Sequence, residues 1–299
     1  MKVTLIINPV SGAGLDARRL NAFFRSAADA GIRLQPFKTR HPGHAHELLN
    51  SPAAGADAVI AVGGDGTVRE VAECLADTET PLLIWPQGTE NLVARSLGFR
   101  ANPASMLGAL TAGTVRHVDL GQANGRLFMV IAGVGFDAEV VRRLTRQRDG
   151  HITHLSYTGP LWRTFWEHRW PRLAVTGHAP TGPLAWDGRG MVFVGNMARY
   201  ALGLRLTRDA VEDDGLLDLV AMRCTGWAEL ISHAIRTLRC THLEHPTVVH
   251  RRMTRLRIES EEPSVPIQID GEYAGFLPLE ISIRPGVLRV KVPPDRAGR

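Results

Sequence analysis

The stretch Ala58-Val59-Ile60-Ala61-Val62-Gly63-Gly64-Asp65-Gly66-Thr67-Val68-Arg69-Glu70-Val71 decides the fold. Residues 58–62 are a short, fully apolar run, the mark of a strand covered on both faces. Gly63-Gly64-Asp65-Gly66 then turns the chain, and a helix is predicted from Thr67 to about Ala76. A buried strand that passes through a glycine turn into a helix is a unit of an open parallel sheet.

The same grammar extends on both sides. Upstream, residues 3–7 read as a buried strand ended by Asn8-Pro9. Leu20, Phe23, Phe24 and Ala27 recur at helical spacing, and Gly31 stands where that helix would end. Residues 32–39 read as a second strand and 44–50 as a short helix. Downstream, residues 82–84 are a strand, Pro86-Gln87-Gly88-Thr89 a turn, and helices follow to Leu97 and over 103–110. Strands alternating with helices predict a doubly wound α/β domain with a parallel sheet.

After about Arg116 the pattern changes. Residues 118–122 and 127–132 flank Asn124-Gly125, a strong hairpin signal. Further strands are predicted over 172–176, 191–195, 216–222, 254–259, 265–270 and 279–284, with turns at Asp270-Gly271 and Pro285-Gly286. Residues 179–183 read as a hairpin loop. Helices are predicted over 136–148, 154–170 and 227–241. The second part is therefore mainly antiparallel β, and the strand at 287–292 fits either part.

The length of 299 residues suits about two domains. With 44% hydrophobic and 22% charged residues, the chain is neither disordered, collagen-like nor a coiled coil. Cys74, Cys224 and Cys240 are too few and too scattered for a disulfide framework or a four-cysteine zinc site, so a reducing compartment is the simplest reading. The longest apolar stretch, 127–136, holds two glycines and falls short of a membrane span. The N-terminal apolar run is too short for a signal-peptide core. The expectation is a soluble, cytoplasmic protein. The net charge of +5 is carried almost wholly by arginine, the only lysines being Lys2, Lys38 and Lys291. A basic surface suits phosphates, nucleic acid or an acidic membrane face without choosing among them.

Four glycine-punctuated turns follow apolar strands: Asn8-Pro9-Val10-Ser11-Gly12, Gly63 to Thr67, Pro86-Gln87-Gly88-Thr89-Glu90-Asn91, and Gly133-Val134-Gly135-Phe136-Asp137-Ala138. The first three fall on the carboxyl edge of the sheet, where open α/β sheets bind ligands. Bare backbone N–H groups and helix N-termini make such an edge a phosphate-binding rim. No lysine lies in any of these turns, which excludes a P-loop. Gly133-x-Gly135-x-x-Ala138 matches a dinucleotide pattern, but no acidic residue follows at the spacing that holds a ribose, and a close-packed strand-to-helix turn fits better. Asp65 would repel phosphate unless it holds Mg²⁺ or takes a proton; the other reading is a tight turn in which it caps the next helix.

Taken in order, Ile7 to Gly12, Gly63 to Val71, Pro86 to Asn91, Val118-Asp119-Leu120-Gly121, Asp213-Asp214-Gly215-Leu216-Leu217-Asp218 and Ile269-Asp270-Gly271-Glu272 span nearly the whole chain. This series resembles the diacylglycerol kinase catalytic-domain family of lipid kinases, which includes bacterial diacylglycerol kinases and sphingosine kinases. The resemblance implies an NAD-kinase-like α/β domain over 1–117, joined by the C-terminal segment 286–299. It also implies a β-rich, β-sandwich-like substrate domain over 118–285, with the active site in the cleft between the two. By the same resemblance, Asn8, Pro9, Val10, Ser11, Gly12, Thr39, Gly63, Gly64, Asp65, Gly66, Thr67, Val68, Arg69, Glu70, Gly88, Thr89 and Asn91 bind ATP. Asp65 and Asp119 surround the catalytic Mg²⁺, and Glu272 is the general base that takes the lipid hydroxyl proton. Asp214, with the carbonyls of Val211 and Leu216, binds a structural Mg²⁺. Without the family, Glu272 reads as a solvated residue in a hairpin and Asp214 as part of an acidic turn.

One departure stands out. Many bacterial members carry Asn-Asp-Phe where this chain has Asn91-Leu92-Val93. Either Glu90 closes the polar network or the substrate differs from diacylglycerol. The resulting reading is an ATP- and Mg²⁺-dependent lipid kinase acting on a diacylglycerol-like or sphingoid hydroxyl. Its partners would be a lipid at the inner membrane face, met by peripheral contact, and a second copy in a homodimer; nucleic acid is not expected. The rival readings are an NAD kinase and a regulator that binds nucleotide or lipid without catalysis. Leu161, Trp162, Phe165, Trp166 and Trp170 form an aromatic stripe flanked by Arg163, Arg169 and Arg172, read either as core packing or as a membrane-contact helix. His41, His44 and His46 lie close in sequence, but His44 and His46 cannot share a helix face.

Overall fold

The computed structural model describes residues 1–12, 14, 16–50, 55–146 and 158–294. The chain divides into two compact units, Met1–Val118 with Gly286–Arg299, and Asp119–Pro285.

The first unit runs β1 (Lys2–Ile7), α1 (Ala17–Asp29), β2 (Arg33–Lys38), α2 (His44–Leu49), β3 (Ala58–Gly63), α3 (Asp65–Leu75), β4 (Leu82–Pro86), α4 (Leu92–Ser96) and α5 (Pro103–Ala112). β1 pairs in parallel with β2 and β3, and β3 with β4. Every residue of β3 is buried, as its unbroken apolar run requires. Asp16 caps α1 by accepting from the Arg19 amide at 3.1 Å, and Gly31, at φ +68°, follows its end. Phe23 of α1 packs its ring 5.4 Å from that of Trp85 on β4, tying helix to sheet.

Among the described residues the strand pairs of the second unit are antiparallel, and its last strand turns parallel only where it leaves the unit. It begins within β5 (Thr114–Ala123) and continues through β6 (Arg126–Phe128), β7 (Ile131–Val134), α6 (Phe136–Arg146), α7 (Thr158–Glu167), β8 (Arg172–Ala179) and β9 (Gly182–Gly195). Then come β10 (Leu217–Arg223), α8 (Trp227–Leu238), β11 (Val248–Met253), β12 (Arg255–Glu259), β13 (Pro266–Ile269), β14 (Glu272–Phe276) and β15 (Leu279–Val292). One sheet has the order β14-β13-β7-β9-β10-β11; the other joins β9, β8, β12 and β15. β9 belongs to both. It pairs with β8 up to Arg189 and with β10 from Gly190 onward. Gly190 sits at φ +150°, and a Cβ there would meet the Met222 carbonyl oxygen at 2.0 Å, so the corner demands glycine. Between the sheets lies one apolar core that includes Phe128, Leu173, Val192, Leu219, Ile258 and Ile281.

Several expectations need correction. The single strand read over 127–132 is two strands, because the Asp270 carboxylate draws the amides of Met129, Val130 and Ile131 out of the ladder. Pro285-Gly286 does not end a strand. β15 runs through it, with Gly286 at φ +62° bending the path into the first unit, where Val290 pairs in parallel with Leu82. β11 and β14 were not legible. β11 carries His250-Arg251-Arg252 at its centre, and β14 holds Gly275 at φ +97° beside a register shift. The predicted helix over 154–170 is seen as Thr158–Glu167; its first residues and the side chain of Leu161 lie outside the described part.

Candidate active site

In the first unit, pairing places the strand ends side by side. Ile7 pairs with Val62, and Gly63 with Pro86. The Asn8 amide donates to the Val62 carbonyl at 2.9 Å, Gln87 to Gly63 at 2.8 Å, and Thr39 to Ile7 at 2.9 Å. Thr39, the Asn8–Gly12 turn, the Gly63–Thr67 turn and the Pro86–Asn91 turn therefore form one continuous rim at the carboxyl edge.

The glycines of that rim are where backbones touch. A Cβ on Gly12, itself at φ +57°, would meet the Gln87 carbonyl oxygen at 2.2 Å, and one on Gly88 would meet Gly64 Cα at 2.6 Å. Side chains lock the turns. Asn8 Oδ1 accepts from the Val10 amide at 3.1 Å, and its Nδ2 donates to Thr67 Oγ1 at 3.1 Å. Asn91, in the left-handed region at φ 52°, exchanges two hydrogen bonds of 2.7 Å with the Gly88 backbone. Pro9, Val10, Gly66 and Thr89 are exposed on the rim, and Ser11 is half-buried. Val68 and Arg69 are buried, Arg69 lies 3.0 Å from Glu73, and Glu70 accepts from the Gly43 amide at 3.0 Å. Arg69 thus bonds within α3, and Glu70 ties α3 to the start of α2. A cavity of about 580 Å³ opens beside the rim, lined in part by Pro9, Lys38, Thr39, Arg40 and His44.

Asp65 begins α3, yet its carboxylate reaches another helix: Oδ1 accepts from the Val93 amide at 3.1 Å. Burial pushes its carboxyl upward, the amides of Leu92, Val93 and Asn91 hold it down, and Glu90 adds to the upward push. Leu92 is itself buried, and it meets Asp65 through its backbone amide.

In the second unit, Asp119 is buried on β5. Its Oδ2 accepts from the Gly215 amide at 2.6 Å, and its own amide donates to the Glu212 carbonyl at 2.8 Å, so the loop 211–216 folds around it. Asp214 accepts from the Leu216 amide at 3.0 Å and lies 3.7 Å from Arg252. Burial raises its carboxyl; Leu216 and Arg252 oppose that, and Asp218 and Asp119 add to it. Val211 is exposed. Glu272 opens β14 directly after the Asp270-Gly271 turn and forms an ion pair with Arg126. Asp270 holds that turn: its carboxylate accepts from Met129 at 2.8 Å and from Val130 and Ile131 at 2.9 Å each.

Sequence reasoning missed Arg126 and the anchoring work of Asp270. Arg126 follows the Asn-Gly turn immediately, and that position was the available signal. Asp137 was read only within a turn. The Tyr200 hydroxyl donates to it at 3.0 Å, and burial pushes its carboxyl up to about 6. Of the three histidines, His46 faces Glu73 at 3.2 Å, whereas His41 and His44 stack with ring centroids 4.7 Å apart near Glu47. A larger cavity of about 750 Å³ on the second unit is lined by Thr176, His178, Arg255 and Arg257 and by none of the candidate site residues.

An α/β unit with a glycine-built rim at its carboxyl edge, followed in the chain by an antiparallel β sandwich that carries Asp119, Asp214 and Glu272, has the make-up of a phosphotransferase of NAD-kinase-like design. A model of the diacylglycerol kinase catalytic domain matches residues 2–123, and a model of the YegS C-terminal NAD kinase beta sandwich-like domain matches residues 130–292. A diacylglycerol kinase of Bacillus subtilis (strain 168) is 28% identical over 99% of this chain and 98% of its own. A Pseudomonas aeruginosa (strain PAO1) protein named "Probable lipid kinase YegS-like" is 31% identical over 98% of this chain and 94% of its own. A crystal structure from Bacillus anthracis str. Sterne, provisionally described as a diacylglycerol kinase, superposes with a TM-score of 0.80 at 26% identity, covering 99% of this chain and 96% of that one. The chain belongs to the diacylglycerol kinase catalytic-domain family of lipid kinases.

Proposed function

We infer that the chain transfers the γ-phosphate of ATP to the hydroxyl of a diacylglycerol-like or sphingoid lipid. The observation that carries this reading is the rim, where three turns meet so tightly that Gly12 and Gly88 admit no side chain. Close-packed backbone of that kind turns N–H groups toward an anion. The rim of the first unit would bind the ATP phosphates, with Thr39 and Thr89 adding hydroxyls. In the second unit Glu272 would accept the lipid hydroxyl proton, held in orientation by Arg126 and by the Asp270 turn. A primary alcohol is a weak nucleophile, and phosphoryl transfer needs a placed base and neutralised phosphate charge.

The carboxylates fit Mg²⁺ by their chemistry. Asp65 is solvated by amides with a further carboxylate, Glu90, nearby, and Asp214 has Asp119 and Asp218 as neighbours. Such sets of hard oxygens with surplus negative charge suit that ion. Asp65 and Asp119 would hold the catalytic ion, and Asp214 with the Val211 and Leu216 carbonyls a structural one. The bound ion supplies charge neutralisation on the transferring phosphate. Among the described residues no helix is long and apolar enough to cross a membrane, so the lipid would be met at a surface. A homodimer is part of the same reading.

The test is transfer of labelled γ-phosphate to diacylglycerol, sphingosine, ceramide, polyprenol and NAD in parallel, beside Glu272→Ala. Label on one lipid, lost in the variant, supports the reading and names the substrate. Label on NAD alone, or none with ATP still bound, overturns it.

A further inference from the structure

Helix α8 is built the wrong way round for a surface helix. Its buried positions are polar, His233 and Thr237, with His233 Nε2 at 2.9 Å from the Arg223 carbonyl and Thr237 Oγ1 donating to His233 at 2.8 Å. Three of its large apolar residues face out, Ile231 at 48% exposed, Ile235 at 44% and Leu238 at 70%, while Trp227 and Leu230 are half-buried. A helix of a globular unit normally turns its apolar stripe inward.

Helix α7 extends this surface. Trp162 is 65% exposed and Trp166 60%. Trp227, at the start of α8, links the helices, its ring 3.7 Å from that of Phe165 and 6.0 Å from that of Trp166. Behind them, Trp170 and Phe136 stack toward the interior with centroids 6.0 Å apart. The inner members of the aromatic stripe thus pack, and its outer members Trp162 and Trp166 are exposed.

The rim of this patch is basic. Arg163, Arg169 and Arg239 are exposed, and none of them forms an ion pair among the described residues. The acids nearby are engaged: Glu167 lies 2.6 Å from Arg143, and Glu229 accepts from the Thr225 hydroxyl at 3.0 Å. Large exposed apolar patches mark interaction sites. Tryptophan beside arginine around an aliphatic stripe is the composition that settles at an anionic bilayer surface. A second copy is a poorer occupant, because a two-fold contact would set these arginines against their own counterparts.

We propose that the face formed by Trp162, Trp166, Ile231, Ile235 and Leu238, rimmed by Arg163, Arg169 and Arg239, seats on an anionic lipid bilayer. This deepens the kinase reading, since the substrate lies in that surface, but it is measurable without catalysis. The experiment is co-sedimentation of the full chain, without ATP, with phosphatidylcholine vesicles that do or do not contain roughly a third phosphatidylglycerol. The wild type should partition to the anionic vesicles. Ile235→Ser with Leu238→Ser should lower partition at least about tenfold, and Arg163→Glu with Arg169→Glu should abolish the anionic preference. Brominated lipid should quench tryptophan fluorescence in the wild type and much less in Trp162→Phe with Trp166→Phe. These residues are exposed, and circular dichroism verifies that each variant is folded. Unchanged partition in the serine variant overturns the proposal, as does a dimer that the same variant dissociates while vesicle binding persists. Phosphorylation of lipid in detergent micelles without vesicle binding would sink the docking face and leave the kinase reading standing; vesicle binding without phosphorylation of any lipid would do the reverse.

Discussion

A Cβ built on Gly88 would stand 2.6 Å from the Cα of Gly64, with Asn91 Oδ1 at 3.0 Å on its other side. Both obstacles belong to turns fixed by their own hydrogen bonds, so neither yields without opening the rim. Gly88→Ala is expected to weaken ATP binding at least about a hundredfold, the loss of several charge-assisted amide contacts. Titration calorimetry with ATP reads this directly. Gly108→Ala is the control: it lies in α5 with open space around it, and alanine favours helix. Equal nucleotide affinity in Gly88→Ala and wild type would show that the rim does not hold the phosphates.

Glu272 and the rim belong to different units, which separates binding from chemistry. Glu272→Gln should lower phosphoryl transfer at least about a hundredfold, the usual contribution of a general base, with ATP affinity unchanged. Arg126→Ala removes the partner that orients the carboxylate and should cost roughly tenfold in kcat through misplacement. Steady-state kinetics together with direct nucleotide binding distinguish the two. A Glu272→Gln enzyme that keeps wild-type kcat removes Glu272 from the reaction.

Asp270 gathers three backbone amides on one carboxylate. In Asp270→Ala those amides lose their acceptor, and a buried unsatisfied N–H costs about 1–3 kcal/mol. The variant should unfold at clearly lower urea concentration, with a total loss of roughly 3 kcal/mol or more. Asp270→Asn keeps one side-chain oxygen and should fall between. Equal midpoints for alanine and wild type would mean that the break between β6 and β7 is held by other contacts.

The parallel half of the fold was readable because β1, β3 and β4 are short apolar runs, each followed by a glycine-bearing turn; residues 58–62 needed no tertiary information. That the turns share one edge followed from the same pattern. The second unit was less legible where polar residues do the folding. β11 shows its polar residues because it is an edge strand, paired among the described residues with β10 alone. The break between β6 and β7 is dictated by Asp270, some 140 residues away in sequence, a distance over which no periodicity reports. Arg126 was invisible as a partner of Glu272 for the same reason. The outward apolar stripe of α8 was hidden differently: its period is that of any amphipathic helix, and only packing reveals which side is buried.

His168 should set the acid sensitivity of the second unit. Its ring is packed edge-on against Phe136 and Trp170, its Nε2 is buried without a hydrogen-bond partner among the described residues, and burial pushes it from its ordinary 6.5 down to about 4. Between those values the unfolded chain binds a proton that the folded chain refuses, so stability falls as pH drops from 6.5 toward 4. Asp137 has the opposite sign. Burial raises it from 3.8 to about 6, so the folded chain holds its proton more tightly and stability falls as pH rises through that window. In the wild type the two slopes oppose each other. His168→Phe deletes one of them and should leave a thermal midpoint that rises on acidification from pH 6 toward 4; Asp137→Asn deletes the other and should leave one that falls more steeply. Thermal unfolding followed by circular dichroism across this range decides the matter, and a His168→Phe midpoint that parallels the wild type at every pH would mean that this histidine is not held neutral by its burial.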